Sequence, residues 1–98
     1  MNAPVETVPV TFTVRCVERV RGGGRLLALA VVELEVAGVA FTLQGVQVIR
    51  TPAGDVECRA PVWRHPATAA WLPAVLLPPE LSAAIAAEVL ASMAEVAA

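Results

Sequence analysis

Three places in this chain bring together residue types that could do chemistry: Glu33 and Glu35, the consecutive Trp63, Arg64 and His65 between Pro61 and Pro66, and the triple glycine Gly22 to Gly24. Glu33 and Glu35 are two apart, so a strand would put both carboxylates on one face. An acid and base pair needs a nucleophile or second base beside it, and none is marked; alternating acids there read as a solvated rim that discourages edge pairing. The glycines lack the lysine and the serine or threonine of a phosphate-cradling loop, and the chain contains no lysine; they read as a tight turn. Trp63, Arg64 and His65 have two open readings. A cation beside an indole and an imidazole can hold phosphate and stack an unpaired base, whereas a histidine between a tryptophan and a proline can equally serve local packing and hydrogen bonding. Cys16 and Cys58 have no metal or redox spacing and there is a single histidine, so no zinc site is expected. Both fall at apolar-phase positions and are expected to be buried and reduced. No catalytic constellation emerges: the expectation is a non-enzymatic protein with no cofactor and no metal.

The elements that must position these residues follow from periodicity. Val8, Val10, Phe12, Val14 and Cys16 alternate with Thr11, Thr13 and Arg15, which predicts a first strand from Val8 to Val20. Beyond the glycine turn, a second strand from Arg25 to Val36 has one wholly apolar face with Ala28 and Ala30 at its centre, leaving room for a helix, and another face that is apolar through Leu27, Leu29 and Val31. The third strand, Ala40 to Arg50, changes phase at Gln44-Gly45, from Phe41 and Leu43 to Val46 and Val48, as a β-bulge would. A turn from Thr51 to Asp55 leads to a short fourth strand through Val56, Cys58 and Ala60. Pro61, Pro66, Pro73, Pro78 and Pro79 then mark extended, irregular chain. Leu81, Ile85, Val89, Met93 and Val96 recur at helical spacing, with Pro79 suited to the first turn. Glu88 and Glu95 share one flank of that helix. The fold class expected is α+β: one domain over residues 1–98, an antiparallel meander over about 8–60, a proline-rich connection over 61–79 and a C-terminal helix over about 80–97 packed on one face.

Composition bounds the partners. The chain is 57% apolar and 16% charged, against about 45–50% and about 25% in ordinary soluble chains. So short a chain buries only about 60–65% of its unfolded surface, so self-association is expected. The longest uncharged runs, Val36 to Ile49 and His65 to Pro79, are broken by glycine, glutamine or proline and are too short to span a membrane as helices. The start of the chain has neither a basic region nor an apolar core, and a cytoplasmic location is expected. Net charge is −2, but residues 10–65 hold all seven arginines against five acids, while the last 33 residues hold only Glu80, Glu88 and Glu95. Any affinity for phosphate belongs to the sheet part.

The order Arg19-Val20, Gly24-Arg25-Leu26, Ala28-Leu29-Ala30, Phe41, Val46-Gln47-Val48-Ile49, Ala60-Pro61, Arg64, Pro66 and Ile85-Ala86-Ala87-Glu88-Val89-Leu90 resembles the stage V sporulation protein G (SpoVG) family over roughly residues 14–90. The resemblance implies an antiparallel sheet with a C-terminal helix, a homodimer made through the sheets, and a regulatory role with direct binding of DNA or RNA. Departures fall on the binding part. Val62 and Trp63 stand where the family is polar or basic, Leu81 to Ala84 bring no cation to the helix start, and Arg64 alone keeps its charge in that loop. The expectation is therefore a SpoVG-like homodimeric regulator with weak nucleic-acid affinity through Arg59, Trp63, Arg64 and His65, with Arg15, Arg19, Arg21 or Arg25 contributing. The alternative is a dimeric protein-interaction module without nucleic-acid binding that presents its Trp63 to Leu77 segment to another protein.

Overall fold

Two-residue periodicity becomes a four-stranded antiparallel sheet of β1 (Val10–Arg19), β2 (Leu26–Val36), β3 (Val39–Arg50) and β4 (Val56–Arg59), paired in chain order. A C-terminal helix, α1 (Pro79–Ala97), packs against one face, which makes the fold α+β. The computed structural model describes residues 9–97, and the side chains of 95–97 are outside that description. Val8, with which the sequence pattern begins the first strand, and the side chains of Glu95 and Val96 therefore lie outside the described residues.

Turn chemistry closes the meander. Ala37 and Gly38 join β2 to β3 with φ of 52° and 81°, the two-residue turn whose twist suits a hairpin. Between β3 and β4, Gly54 N donates to Thr51 O at 2.9 Å and Asp55 N to the Thr51 hydroxyl at 3.1 Å. In the loop before β2, a Cβ on Gly23 would lie 2.6 Å from Val20 Cγ1 and 3.1 Å from Leu26 O. That position admits only glycine without a shift of its neighbours.

The core lies between the helix and the inner face of the sheet. Ala28, Ala30, Val32 and Leu34 of β2, Val46 and Val48 of β3, Cys58 of β4, and Ile85, Ala86 and Val89 of α1 form one buried cluster. Alanines at the centre of β2 let the helix approach closely, and each fully buried Ile or Val contributes about 1.5–3 kcal/mol. Leu81 and Met93 flank this face half-buried. Towards the end of the helix, Arg19 Nη2 donates to Met93 O at 3.0 Å and ties β1 to α1.

Bulges decide which residues face the core. Pairing of β2 with β3 shifts between Ala30 and Val32, opposite Gln44-Gly45, and Gly45 has φ of 79°. The phase change in the third strand is thus a bulge, as its sequence predicts. A second register shift, between Val14 and Cys16 of β1, corrects the expectation for Cys16. The extra residue turns Cys16 outward opposite Val31 and brings Val17 inward opposite Ala30, so Cys16 is exposed while Cys58 is buried. A further shift lies between Leu26 and Ala28.

The proline-rich connection also holds more structure than expected. Val62–Arg64 (β5) and Trp71–Pro73 (β6) form a separate antiparallel hairpin, with Ala74 N bonded to Pro61 O at 2.7 Å across its base. All six strand residues are exposed. The Cα radius of gyration is 15.2 Å, above the roughly 13 Å of a compact chain of this length. An exposed two-stranded arm beside the sheet fits that extension.

Candidate functional site

The four residues singled out in the sequence divide between the main sheet and the two faces of the arm. In β5 and β6 the cross-strand partners are Val62 with Pro73, Trp63 with Leu72, and Arg64 with Trp71. Partners in an antiparallel pair share a face. Trp63 and Leu72 therefore lie on one side of the arm, and Val62, Arg64, Trp71 and Pro73 on the other.

His65 holds the arm closed. Its Nδ1 accepts the backbone N–H of Ala67 at 3.1 Å and of Thr68 at 3.3 Å, bonds that an unprotonated Nδ1 makes in the manner of an Asx turn. Backbone bonds from His65 N to Ala70 O and from Ala69 N to His65 O, both 2.8 Å, complete the turn, in which Ala69 has φ of 60°. The Trp63 and His65 rings lie 5.5 Å apart at 39°. Of the two readings of His65, the geometry gives it local hydrogen-bonding work.

Arg64 meets a residue that sequence spacing did not pair with it. Its guanidinium lies 5.9 Å from the centroid of the Trp71 ring, within cation–π range. Trp71 is 64% exposed. The signal lies in the symmetric placement of Arg64 and Trp71 about the His65–Ala70 turn, which is invisible until the segment is seen as a hairpin.

Arg59 is on the outer face of the main sheet, opposite Gln47, and is bound to Glu57 through Nε and Nη2, each 3.0 Å from Oε1. With Gln47, Val62 and Trp71 it lines a concavity of about 480 Å³ between sheet and arm. A second groove, of about 350 Å³, runs along the arm base towards the helix start and is lined in part by Val62, Pro73, Val75, Leu76 and Leu77.

Three other arginines have partners within the fold. Arg15 pairs with Glu33 at 2.8 Å, Arg19 binds the helix end, and Arg50 Nη1 donates to Gly54 O at 3.1 Å. Arg21 and Arg25 belong to the loop between β1 and β2. Arg64 is the cation of the arm, and Arg59, held by Glu57, is the cation that lines the concavity beside Trp71.

Burial pushes the Cys58 thiol up to about 11, which leaves it protonated and inert near neutrality. Among the described residues no three His, Cys, Asp or Glu side chains are grouped so as to hold a metal ion, and no helix is long and apolar enough to cross a membrane. In comparisons with family models, with curated proteins and with solved structures, none matches this chain.

Proposed function

We propose that this chain is a cytoplasmic, non-enzymatic, SpoVG-like homodimeric module that works by docking another protein against its arm and the groove at the arm base. The observation that carries this reading is apolar exposure: Leu76 is 84% exposed beside that groove, and Trp63, Val62 and Leu72 are 42%, 42% and 37% exposed on the arm. Val62 and Leu76 line one groove with Pro73, Val75 and Leu77, and an apolar patch of this kind on so small a chain marks an interaction site, while Trp63 and Leu72 add apolar surface on the opposite side of the arm. With Arg59 held by Glu57, the cations needed to follow a phosphate backbone are sparse.

Weak nucleic-acid binding is the second reading, supported by Arg64 over Trp71, a cation beside an exposed aromatic face. Such a platform suits an unpaired base next to a phosphate. Titration with single- and double-stranded DNA and RNA at low and moderate salt separates the two. The docking reading expects no binding even at low salt, together with enhanced fluorescence of an apolar dye that falls in Leu76→Glu. Binding that weakens steeply with salt and is reduced across sequences in Arg64→Ala would replace it with the nucleic-acid reading.

A further inference from the structure

The arm and the outer face of the main sheet have complementary needs. A lone two-stranded hairpin is marginal in water, yet here all six strand residues are exposed and Trp71 carries much of the apolar area. The outer face has Leu29 at its centre, 37% exposed, with Val31 beside it. Across this face the register aligns Glu18, Leu29, Gln47 and Arg59 in one row from β1 to β4. The row has an acid at one edge and a base at the other. Laid antiparallel on its own copy it brings the Glu18 edge of each sheet to the Arg59 end of the other, where the arm begins, which is the self-complementarity a twofold contact requires.

Charge extends the match to the arm. The outer face holds Glu18, Glu33, Glu35 and Glu57 against Arg15 and Arg59, and both arginines are already engaged, with Glu33 and Glu57. From Ala60 to Pro79 the chain has no acid, and Arg64 is its arginine. The arm leaves the sheet at the Arg59 end of the row, and the concavity of about 480 Å³ lined by Gln47, Arg59, Val62 and Trp71 opens there. In the antiparallel arrangement, that is where the β1 edge of a second copy arrives.

We propose that two copies pack outer face to outer face and that the arm of each clasps the β1 edge of the other, Trp71 covering Cys16 and Arg64 pairing with Glu18 of the second copy. The inference rests on the homodimer reading and adds to it the residues by which each copy completes the other's concavity. Trp71 is thereby removed from water, and the Glu18 carboxylate gains a guanidinium. The Arg64 and Trp71 end of that face is occupied in the dimer, which leaves Val75, Leu76 and Leu77 at the arm base for a further protein.

A charge exchange tests the clasp. By sedimentation equilibrium, Glu18→Arg and Arg64→Glu should each weaken the dimer at least tenfold, and the two together should restore much of the loss. As an independent readout, Trp71→Cys should form a disulfide with native Cys16 of the second copy under mild oxidation, and Cys16→Ser should abolish it; Cys58 is buried and does not compete. Unchanged dimerisation in both single variants with no cross-link overturns the clasp and leaves the dimer standing. A wild-type monomer at micromolar concentration overturns both. Loss of nucleic-acid binding in Arg64→Glu with an unaltered dimer assigns the arm to nucleic acid and also overturns the clasp.

Discussion

Cys16 and Cys58 show how one residue type takes opposite roles by position. Cys58 faces the core opposite Val48, and burial raises its thiol from 9.0 to about 11. The folded state therefore holds that proton more tightly than the unfolded chain does. Its stabilising effect is complete below about pH 9 and is lost as pH rises through about 11. Chemical denaturation at stepped pH should show stability falling across that window in the wild type and a flatter curve in Cys58→Ala, on a lower baseline because a buried side chain has been cut back. Equal slopes for the two proteins would remove Cys58 as the cause. Cys16 is expected to react with thiol reagents in the folded protein while Cys58 does not. The sequence pattern assigned both to the core because a cysteine at apolar phase reads as a hydrophobe. Val14 and Val17, three apart like Leu43 and Val46, carry the same bulge signature, but no glycine marks it. For His65 the residue type left two readings open, and only the positions of the Ala67 and Thr68 N–H groups separate them.

At the level of elements, the long segments were legible and the short ones were not. Ten to twelve residues of alternation define β1, β2 and β3, and a helical stripe places Ile85 and Val89 on the side of α1 that becomes fully buried. Three-residue strands offer too little periodicity to separate from irregular chain, and Pro61, Pro66 and Pro73 argue locally against a strand. The β5 and β6 pair tolerates them because Pro73 ends its strand and Pro66 lies in the turn. A turn built on a histidine cap and a positive-φ alanine carries none of the Asn-Gly or Asp-Gly signals by which hairpins are found in sequence. The packing of α1 is directly testable. Ile85 has no exposed surface, and Ile85→Ala removes contacts with a rigid sheet that cannot collapse into the space, so a loss of about 2–5 kcal/mol is expected by chemical denaturation. An unchanged unfolding midpoint would mean that the helix does not pack on the alanine face of β2.

Over the whole molecule, the same amphipathic logic produces one face that carries the helix and one that does not. The inner face has α1 over its centre and leaves Phe41 and Val39 exposed near the β2 to β3 turn, whereas on the outer face the described residues leave Leu29 exposed and Val31 half-buried between rows of charge. Stability and assembly should therefore respond to different substitutions. Leu29 contributes little to the monomer core because more than a third of its surface already meets water. In a contact between antiparallel rows, by contrast, Leu29 meets Gln47 of the second copy, and a carboxylate in its place would be buried with no countercharge, which is strongly unfavourable. Leu29→Glu is expected to halve the sedimentation mass from about twice 10.2 kDa to a single chain and to change the unfolding midpoint of the resulting monomer little from that of dilute wild type. Ile85→Ala should do the reverse, lowering the midpoint while leaving the mass of the folded protein doubled. If Leu29→Glu sedimented as a dimer, the contact between copies would have to lie elsewhere, and the outer face of the sheet would be open to a different partner.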